Sequence, residues 1–416
     1  MSENLNSPQK FDKSILHHWL CLSKDSSFDF IRLIDYLKER DFGVLDIALS
    51  EKALRPLYIN LLARYYATHE IIIAKYPLKK CHLDWIFKRG LNMHVQKLSI
   101  GFNESKNRIN FDEYVLNFPE LLEIKCWDIT NSIFDMLSTY SPKLRSFKTF
   151  SDFRLNDYKM IENFFSKCTQ LKCIHISDHP ARDCVRLDDR IILPQIVKYC
   201  PQLEVLKLID WANIEEGSIS ALATLSYLRE LNIDCFDVMS SDSLVRLVSN
   251  NKRLESLSFQ GMCWSHNDVM VAIGASCPLL KHVSLSTCYW REFGDEGVIA
   301  MVRGCPLLET IELACFNAGP FMGYGDESED EEVYIEPVLS FTDASLRAIA
   351  QYCPLLEILK VISVDPLSYT KAGLETVVAS CPRLRALHTG EKALFHKVQG
   401  YVADDYDSLY YGEGGY

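Results

Sequence analysis

The sequence lacks the long apolar segments that mark membrane and secreted proteins. No run reaches the roughly eighteen apolar residues of a membrane-spanning helix, and the amino end, MSENLNSPQK, is polar rather than an apolar signal core. These absences predict a chain with no membrane partner, located in the cytoplasm, the nucleus or both. In such a reducing compartment we expect the fifteen cysteines to be free thiols.

The sequence also lacks the short motifs that accompany catalysis. It has no Gly-rich phosphate loop, no G-x-S-x-G and no H-E-x-x-H. It has no C-x-x-C pair, so a zinc knuckle and a thioredoxin-like site are not expected. The histidines are scattered, without a paired carboxylate at a meaningful spacing. We therefore predict a protein that is not an enzyme, with no catalytic residues, no metal and no cofactor.

Clusters of positive charge are scarce. The chain carries 44 Lys and Arg against 56 Asp and Glu, a formal net charge of -12. Its basic runs, such as Lys79-Lys80 and Lys88-Arg89, are short and are typical of solvated surface. Binding to nucleic acid needs clustered Lys and Arg to neutralise phosphates, so no nucleic-acid partner is expected.

What the sequence does contain is a repeat. Five segments share the frame Cys-Pro-x-Leu-x-x-φ-x-φ, where φ is usually Leu, Ile or Val; their frame cysteines are Cys200, Cys277, Cys305, Cys353 and Cys381. Weaker copies begin at Asn92, Phe118, Ser141, Cys168, Leu225 and Asn251. Most spacings fall in or near the ~20–29 residues of leucine-rich repeats. One spacing of 48, from 305 to 353, holds an insertion at 317–339.

Each repeat predicts one strand followed by one helix. In CPLLETIEL, alternation places Ile311 and Leu313 inward. In FTDASLRAIAQYCP, apolar residues recur at helical spacing, and Thr342 and Asp343 are suited to cap the helix. Strand and helix always alternate in that order. The fold class is therefore α/β, a leucine-rich-repeat solenoid shaped as a horseshoe, with a parallel sheet on the concave side and helices on the convex side.

The cysteines fit this interpretation. Six occupy the frame position and five more fall just beyond a strand, at Cys126, Cys235, Cys263, Cys288 and Cys315. Both positions are expected to face the core, where a thiol is small and can donate weakly to a carbonyl. The alternative is a metal or redox ladder, which would need clustered thiolates and not one per repeat.

The frame CPxLExLxLxxC, preceded by segments such as FGDEGVIAMVRG and FTDASLRAIAQY, resembles the cysteine-containing repeats of F-box/leucine-rich-repeat proteins over about residues 92–390. The resemblance implies an amino-terminal F-box that docks on a Skp-type adaptor of a cullin ubiquitin ligase (an SCF complex). It also implies repeats that hold a substrate for ubiquitin-dependent degradation. The alternative is a repeat scaffold or inhibitor that binds a protein partner without any ligase.

We divide the chain into a flexible amino terminus (1–10), a helical region (11–90), the repeat array (91–390, about eleven repeats) and a carboxy-terminal tail (391–416). The helical region looks like a divergent F-box, although the usual Leu-Pro opening and Cys-x-x-Trp signature are absent. Gly90 is expected to stop its last helix. The region acts as a cap of the array, or as a cap that also docks the adaptor. The resemblance implies adaptor contacts at Ile15, Leu16, Trp19, Leu20, Leu45, Leu54 and Leu57.

A partner is expected to bind the exposed face of the strands and the rim just beyond them. Aromatic residues there serve as binding anchors or pack inward under the loops. The candidate partner-binding residues are Lys125, Trp127, Lys148, Phe150, Lys207, Trp211, Phe236, Trp264, Tyr289, Trp290, Phe316 and Lys360. The acidic run at 325–332 in the insertion either binds a basic partner or is a tolerated surface loop.

Overall fold

The structure is a computed structural model of the whole chain. It describes residues 55–73, 85–100, 117–126, 129–150, 153–154, 158–177, 188–211, 214–235, 241–262, 266–287, 294–315, 341–362 and 369–389. The predicted amino terminus, most of the predicted helical region, the insertion and the tail lie outside these ranges. The described chain divides into two compact units, residues 1–124 and 125–416.

The first unit contains helix α1 (Arg55–Thr68), strand β1 (Glu70–Ile73), a 3-10 helix (Leu91–His94) and strand β2 (Lys97–Ile100). Gly90 has φ of 66° and follows a helical turn at 85–88, as predicted for a helix stop. Strand β1 lies inside the region predicted to be helical (11–90) and pairs with β2 in parallel. The Ile71–Ile73 run is β-branched and suits a strand better than the helix that was expected there.

The second unit alternates strands and helices. Strand β3 (Glu123–Cys126) spans the division between the units. The following strands are β4 (Ile129–Thr130), β5 (Ser146–Thr149), β6 (Phe153–Arg154), β7 (Cys173–Ser177), β8 (Val205–Trp211), β9 (Glu230–Cys235), β10 (Ser256–Met262), β11 (His282–Thr287), β12 (Thr310–Cys315), β13 (Ile358–Ile362) and β14 (Ala386–Thr389). The helices are α2 (Asn131–Tyr140), α3 (Tyr158–Lys167), α4 (Asp189–Tyr199), α5 (Glu216–Leu222), α6 (Ser241–Asn250), α7 (His266–Ser276), α8 (Asp295–Gly304), α9 (Asp343–Tyr352) and α10 (Lys371–Ser380).

The strand positions confirm the repeat frame. Each frame position from 92 to 381 is followed, five residues later, by the first residue of a strand. From β5 to β14 the sheet strands pair in parallel and in chain order, with β4 and β6 forming a separate small pair. The α/β leucine-rich-repeat fold class is thus confirmed. The insertion interpretation is confirmed as well, because β12 and β13 are direct neighbours across the 48-residue spacing.

The core lies between the inward side of the strands and the helices. Ile311 and Leu313 are buried as predicted, at 0% and 1% exposure. Thr342 caps α9 by accepting a hydrogen bond from the Ala344 amide, also as predicted. Within the described ranges, no helix is both long and apolar enough to cross a membrane.

The frame cysteines are buried free thiols, as expected. The Cys305 thiol donates to the Cys277 carbonyl at 3.2 Å, and the Cys381 thiol to the Cys353 carbonyl at 3.5 Å. Each thiol therefore links one repeat to the previous one. Cys126 and Cys235 are buried too, whereas Cys263, Cys288 and the Cys315 side chain lie outside what the structure describes.

Candidate functional site

The exposed face of the second unit carries one side chain from each repeat in a continuous row, which we call the central row. Its members are the seventh residues after the frame positions, and the strand register places successive members side by side. Neighbouring strands lie ~4.8 Å apart, so the row is a regular series of closely spaced side chains. The row consists of Lys125, Lys148, His175, Lys207, Asn232, Ser258, Ser284, Glu312, Lys360 and His388.

The first part of the central row is basic. Lys125, Lys148 and Lys207 supply its positive charge, and all three side chains are half-buried. Burial, together with the charges of Lys207 and Lys148, lowers the pKa of His175 to about 4. His175 is therefore neutral at physiological pH and packs edge-on against Phe150, with ring centroids 4.8 Å apart.

The middle of the row is small and polar, and its far end is internally neutralised. Asn232, Ser258 and Ser284 carry no charge. Glu312 accepts a hydrogen bond from the Ser284 hydroxyl at 3.2 Å and pairs with Lys360 at 2.7 Å. Three of the four lysines of the row therefore lie on β3–β8, where Lys207 pairs with Glu230 at 2.6 Å.

Two carboxylates lie near the carboxyl ends of β8 and β9. Burial, together with the charge of the Asp210 carboxylate, raises the pKa of Asp234 to about 6. Asp210 has φ of 59°, an uncommon left-handed conformation for a residue other than glycine. Its carboxylate accepts a hydrogen bond from the Ser177 hydroxyl at 3.5 Å, a long distance for such a bond.

A second row of charges lies at the amino end of the strands, and we call it the edge ladder. From β5 onward, its members precede the strands of the main sheet by one residue: Arg145, Lys172, Glu204, Arg229, Glu255, Lys281, Glu309, Glu357 and Arg385. The sequence reasoning missed this ladder, although its signal, one charge at the fourth residue after each frame position from 141 onward, was present in the sequence.

The structure brings several predicted partner-binding residues onto one surface. Lys125, Lys148, Phe150, Lys207 and Lys360 all lie on the exposed face and are half-buried. Trp211 does not belong there, and its prediction as a rim anchor is wrong. It is 1% exposed, and its Nε1 donates to the Ile176 carbonyl at 3.4 Å. A register shift between Leu208 and Trp211 explains this burial, because it turns the indole toward the core.

The remaining predicted contacts lie outside the described residues. For partner binding these are Trp127, Phe236, Trp264, Tyr289, Trp290 and Phe316. For adaptor binding they are Ile15, Leu16, Trp19, Leu20, Leu45 and Leu54. Leu57 lies in α1, but its side chain is not described.

The frame thiols have low reactivity. Burial raises the pKa of Cys168, Cys200, Cys277, Cys305 and Cys353 to about 12, so each stays protonated at neutral pH and is a poor nucleophile. Among the described residues, no group of three or more His, Cys, Asp or Glu is placed to hold a metal ion. The described surface is suited to bind through charge and hydrogen bonds.

Comparison with known proteins finds sequence similarity to an F-box protein. The F-box protein MAX2 homolog A of Petunia hybrida is 27% identical over 224 residues, which are 50% of this chain and 31% of that protein. This chain thus spans under a third of the length of that relative. No protein-family model matches the chain.

Among solved structures, the yeast complex of Rad7 and Elc1 contains a similar chain, with a TM-score of 0.48 and 17% sequence identity. The superposition covers 92% of this chain and 87% of that chain. The similarity to the Petunia protein extends across 50% of this chain. It confirms the resemblance to F-box/leucine-rich-repeat proteins that the repeats predicted.

Proposed function

We propose that this chain is a substrate-recognition subunit of a ubiquitin ligase, which holds a protein target on the exposed face of its parallel sheet. The observation that carries the proposal is the central row, a continuous series of polar and charged side chains projecting from a rigid sheet. Such a surface binds a partner without reacting with it. The relative's description as an F-box protein supports the link to a ligase.

In this proposal the amino-terminal region docks on a Skp-type adaptor, and the adaptor joins a cullin. The protein performs no chemistry itself. It raises the local concentration of the target near the transfer machinery, an effect of effective concentration rather than catalysis. It acts as an intracellular receptor, in the cytoplasm, the nucleus or both.

The test is affinity purification of the full chain and three variants from cells, followed by mass spectrometry. The variant Ile15→Asp with Leu16→Asp should lose the adaptor and cullin but keep the target. The variant Lys148→Glu with Lys207→Glu should keep the adaptor and lose the target, because it reverses the charge of the basic part of the central row. Lys252→Glu, at an exposed lysine that belongs to neither row, should keep both.

Recovery of neither adaptor nor cullin by the unmodified chain would refute the ligase role. If the target were then still captured through the central row, the chain would be a repeat scaffold or inhibitor. Folding of each variant is checked by circular dichroism before the purifications are compared.

A further inference from the structure

The edge ladder is neutralised along most of its length. Arg229 pairs with Glu255, and Lys281 pairs with the same carboxylate at 3.1 Å. Lys172 pairs with Glu204 at 2.5 Å, and Arg385 with Glu357 at 3.0 Å. From Lys172 to Arg385 the ladder holds four cations and four carboxylates, so this stretch carries no net charge.

The beginning of the ladder differs. Arg145 is exposed and makes no ion pair in the described part of the chain. Its neighbour on the next strand is another cation, Lys172, because β5 and β7 pair with Ser146 opposite Cys173. The ladder therefore begins with two adjacent positive charges, of which one is unneutralised.

The backbone fixes this pair of cations in place. The Arg145 carbonyl accepts hydrogen bonds from the amides of Lys172 and Cys173, at 2.8 and 3.0 Å. The two residues thus stay adjacent for as long as β5 and β7 are paired. Lys172 is already paired with Glu204, so an external anion would pair chiefly with Arg145.

A cavity opens beside these cations. It has a volume of about 460 Å³, and its lining includes Arg145, Lys172, Thr169, Gln170, Gln202 and Tyr199. The hydroxyl and amide groups can donate hydrogen bonds to a carboxylate, and the two cations can pair with it. The lining is therefore suited to an acidic side chain.

The same strands carry the basic part of the central row. Lys148 lies on β5, three residues after Arg145, which is about 10 Å along an extended chain. Lys207 lies two strands away, on β8. We name Arg145, Lys148, Lys172 and Lys207 the basic patch. Its charge contrasts with the acidic chain as a whole, whose formal net charge is -12.

We propose that the basic patch binds an acidic, Asp- and Glu-rich segment of the protein target, with one carboxylate seated in the cavity beside Arg145 and Lys172. The partner is a protein segment in keeping with the proposed function, on which this inference rests. Nucleic acid is disfavoured, since a continuous phosphate backbone would extend beyond the patch over the rest of a chain whose formal net charge is -12.

The binding test uses the full chain and a synthetic peptide of alternating Glu and Ser, with a Gln and Ser peptide as the neutral control. Fluorescence anisotropy should show binding of the acidic peptide that weakens as salt is added. Arg145→Glu with Lys172→Glu should weaken binding about tenfold, because each exposed ion pair contributes little and a charge reversal replaces attraction with repulsion. The matched control, Lys252→Glu with Arg383→Glu, should bind as the unmodified chain does; both residues are exposed.

Cys173 offers a second readout that does not depend on affinity. It is a half-buried cysteine next to Lys172, whereas the frame cysteines are buried. The acidic peptide should slow the alkylation of Cys173, followed by peptide mass spectrometry, and should leave the slow alkylation of Cys305 unchanged.

Equal binding of the neutral peptide, equal weakening by the control variant, or unprotected Cys173 would overturn the inference. So would tighter binding of a phosphoserine peptide or of a single-stranded oligonucleotide than of the Glu peptide. Failure here is distinguishable from failure of the proposed function. If only this inference fails, the chain still recovers adaptor, cullin and target but does not bind the acidic peptide. If the proposed function fails, the chain recovers no adaptor or cullin, whether or not it binds the acidic peptide.

Discussion

The early and late repeats of the second unit use one sequence frame but pack their interiors differently. Around α2, α3 and β5 the core is aromatic: Phe134 and Phe147 contact Phe164 with ring centroids 4.9 and 5.0 Å apart. Between α7 and α8 the contact is made by glycines. A Cβ placed on Gly304 would lie 1.8 Å from the Gly274 carbonyl oxygen, so the two helices approach closely.

The difference shows that the repeat fixes where strands begin but leaves the spacing of the helices to local side chains. Large rings fill the space between the early helices, whereas the absence of side chains brings the late helices together. The thiol contact is also shorter where these helices meet. The Cys168 thiol lies 3.9 Å from the Ser141 carbonyl oxygen, while the Cys305 thiol lies 3.2 Å from the equivalent Cys277 carbonyl oxygen.

The largest expected effect comes from removing the central ring of the aromatic core. Phe164 is fully buried, and Phe164→Ala should destabilise the protein by about 4 kcal/mol through lost burial and a cavity. Hydrogen exchange should then rise in α2, α3 and β5 before it rises in α7 and α8. Phe164→Leu is the control and should cost much less. Uniform exchange across the second unit would show that early and late repeats unfold as one.

A smaller effect is expected where the glycines meet. Gly304→Ala should destabilise by about 2–3 kcal/mol, because the added methyl group forces α7 and α8 apart. Gly217→Ala, in α5, is the matched control, since nothing lies within 4 Å of its Cβ position. This control should be neutral or slightly stabilising. Thermal melting of both variants checks the contrast, and equal melting points would mean that α7 and α8 can separate freely.

The smallest expected effect is a pH dependence of stability that comes from a histidine on the exposed face of the early repeats. His175 has a lowered pKa of about 4, so its contribution to stability is complete above its unfolded pKa and is lost as the pH falls from about 6.5 to 4. After allowance for solvent screening, this amounts to about 1 kcal/mol. His175→Gln should flatten the dependence of the melting temperature on pH in that window.

The matched control for this prediction is His282→Gln, which alters a more exposed histidine of the late repeats. It should leave the pH dependence of the unmodified protein in place. An unchanged pH profile in His175→Gln would show that burial and the neighbouring lysines do not lower the pKa of His175.

The repeat frame predicted the second unit closely, because alternating apolar residues and helix caps are local signals. Ile311, Leu313 and Thr342 were placed correctly for this reason. Strand β1 was missed because EIII carries no frame, and its assignment as a strand depends on pairing with β2. Trp211 was misplaced because a one-residue register shift reverses the side on which a side chain lies, and no local pattern reveals it.

The exposed rows were only partly foreseen. Single lysines such as Lys148 and Lys207 follow from alternation within a strand. The unneutralised charge of Arg145 does not, because it depends on which residue of the next repeat lies opposite. That relation appears only once Ser146 is known to pair with Cys173. The binding of an adaptor by the region around Leu16 and Trp19 stays a prediction.

The direct pairing of β12 with β13 has a consequence for how such a protein can be altered. Main-chain bonds, from the Glu357 and Ile358 amides to the Glu309 carbonyl at 2.7 and 3.0 Å, align these strands whatever the length of the chain between them. On the far side, Asp295 accepts the Thr342 amide at 2.8 Å and anchors the returning chain. The segment between Cys315 and Phe341 is therefore a natural position for grafting a reporter domain, since the spacing of every other repeat is set independently of it.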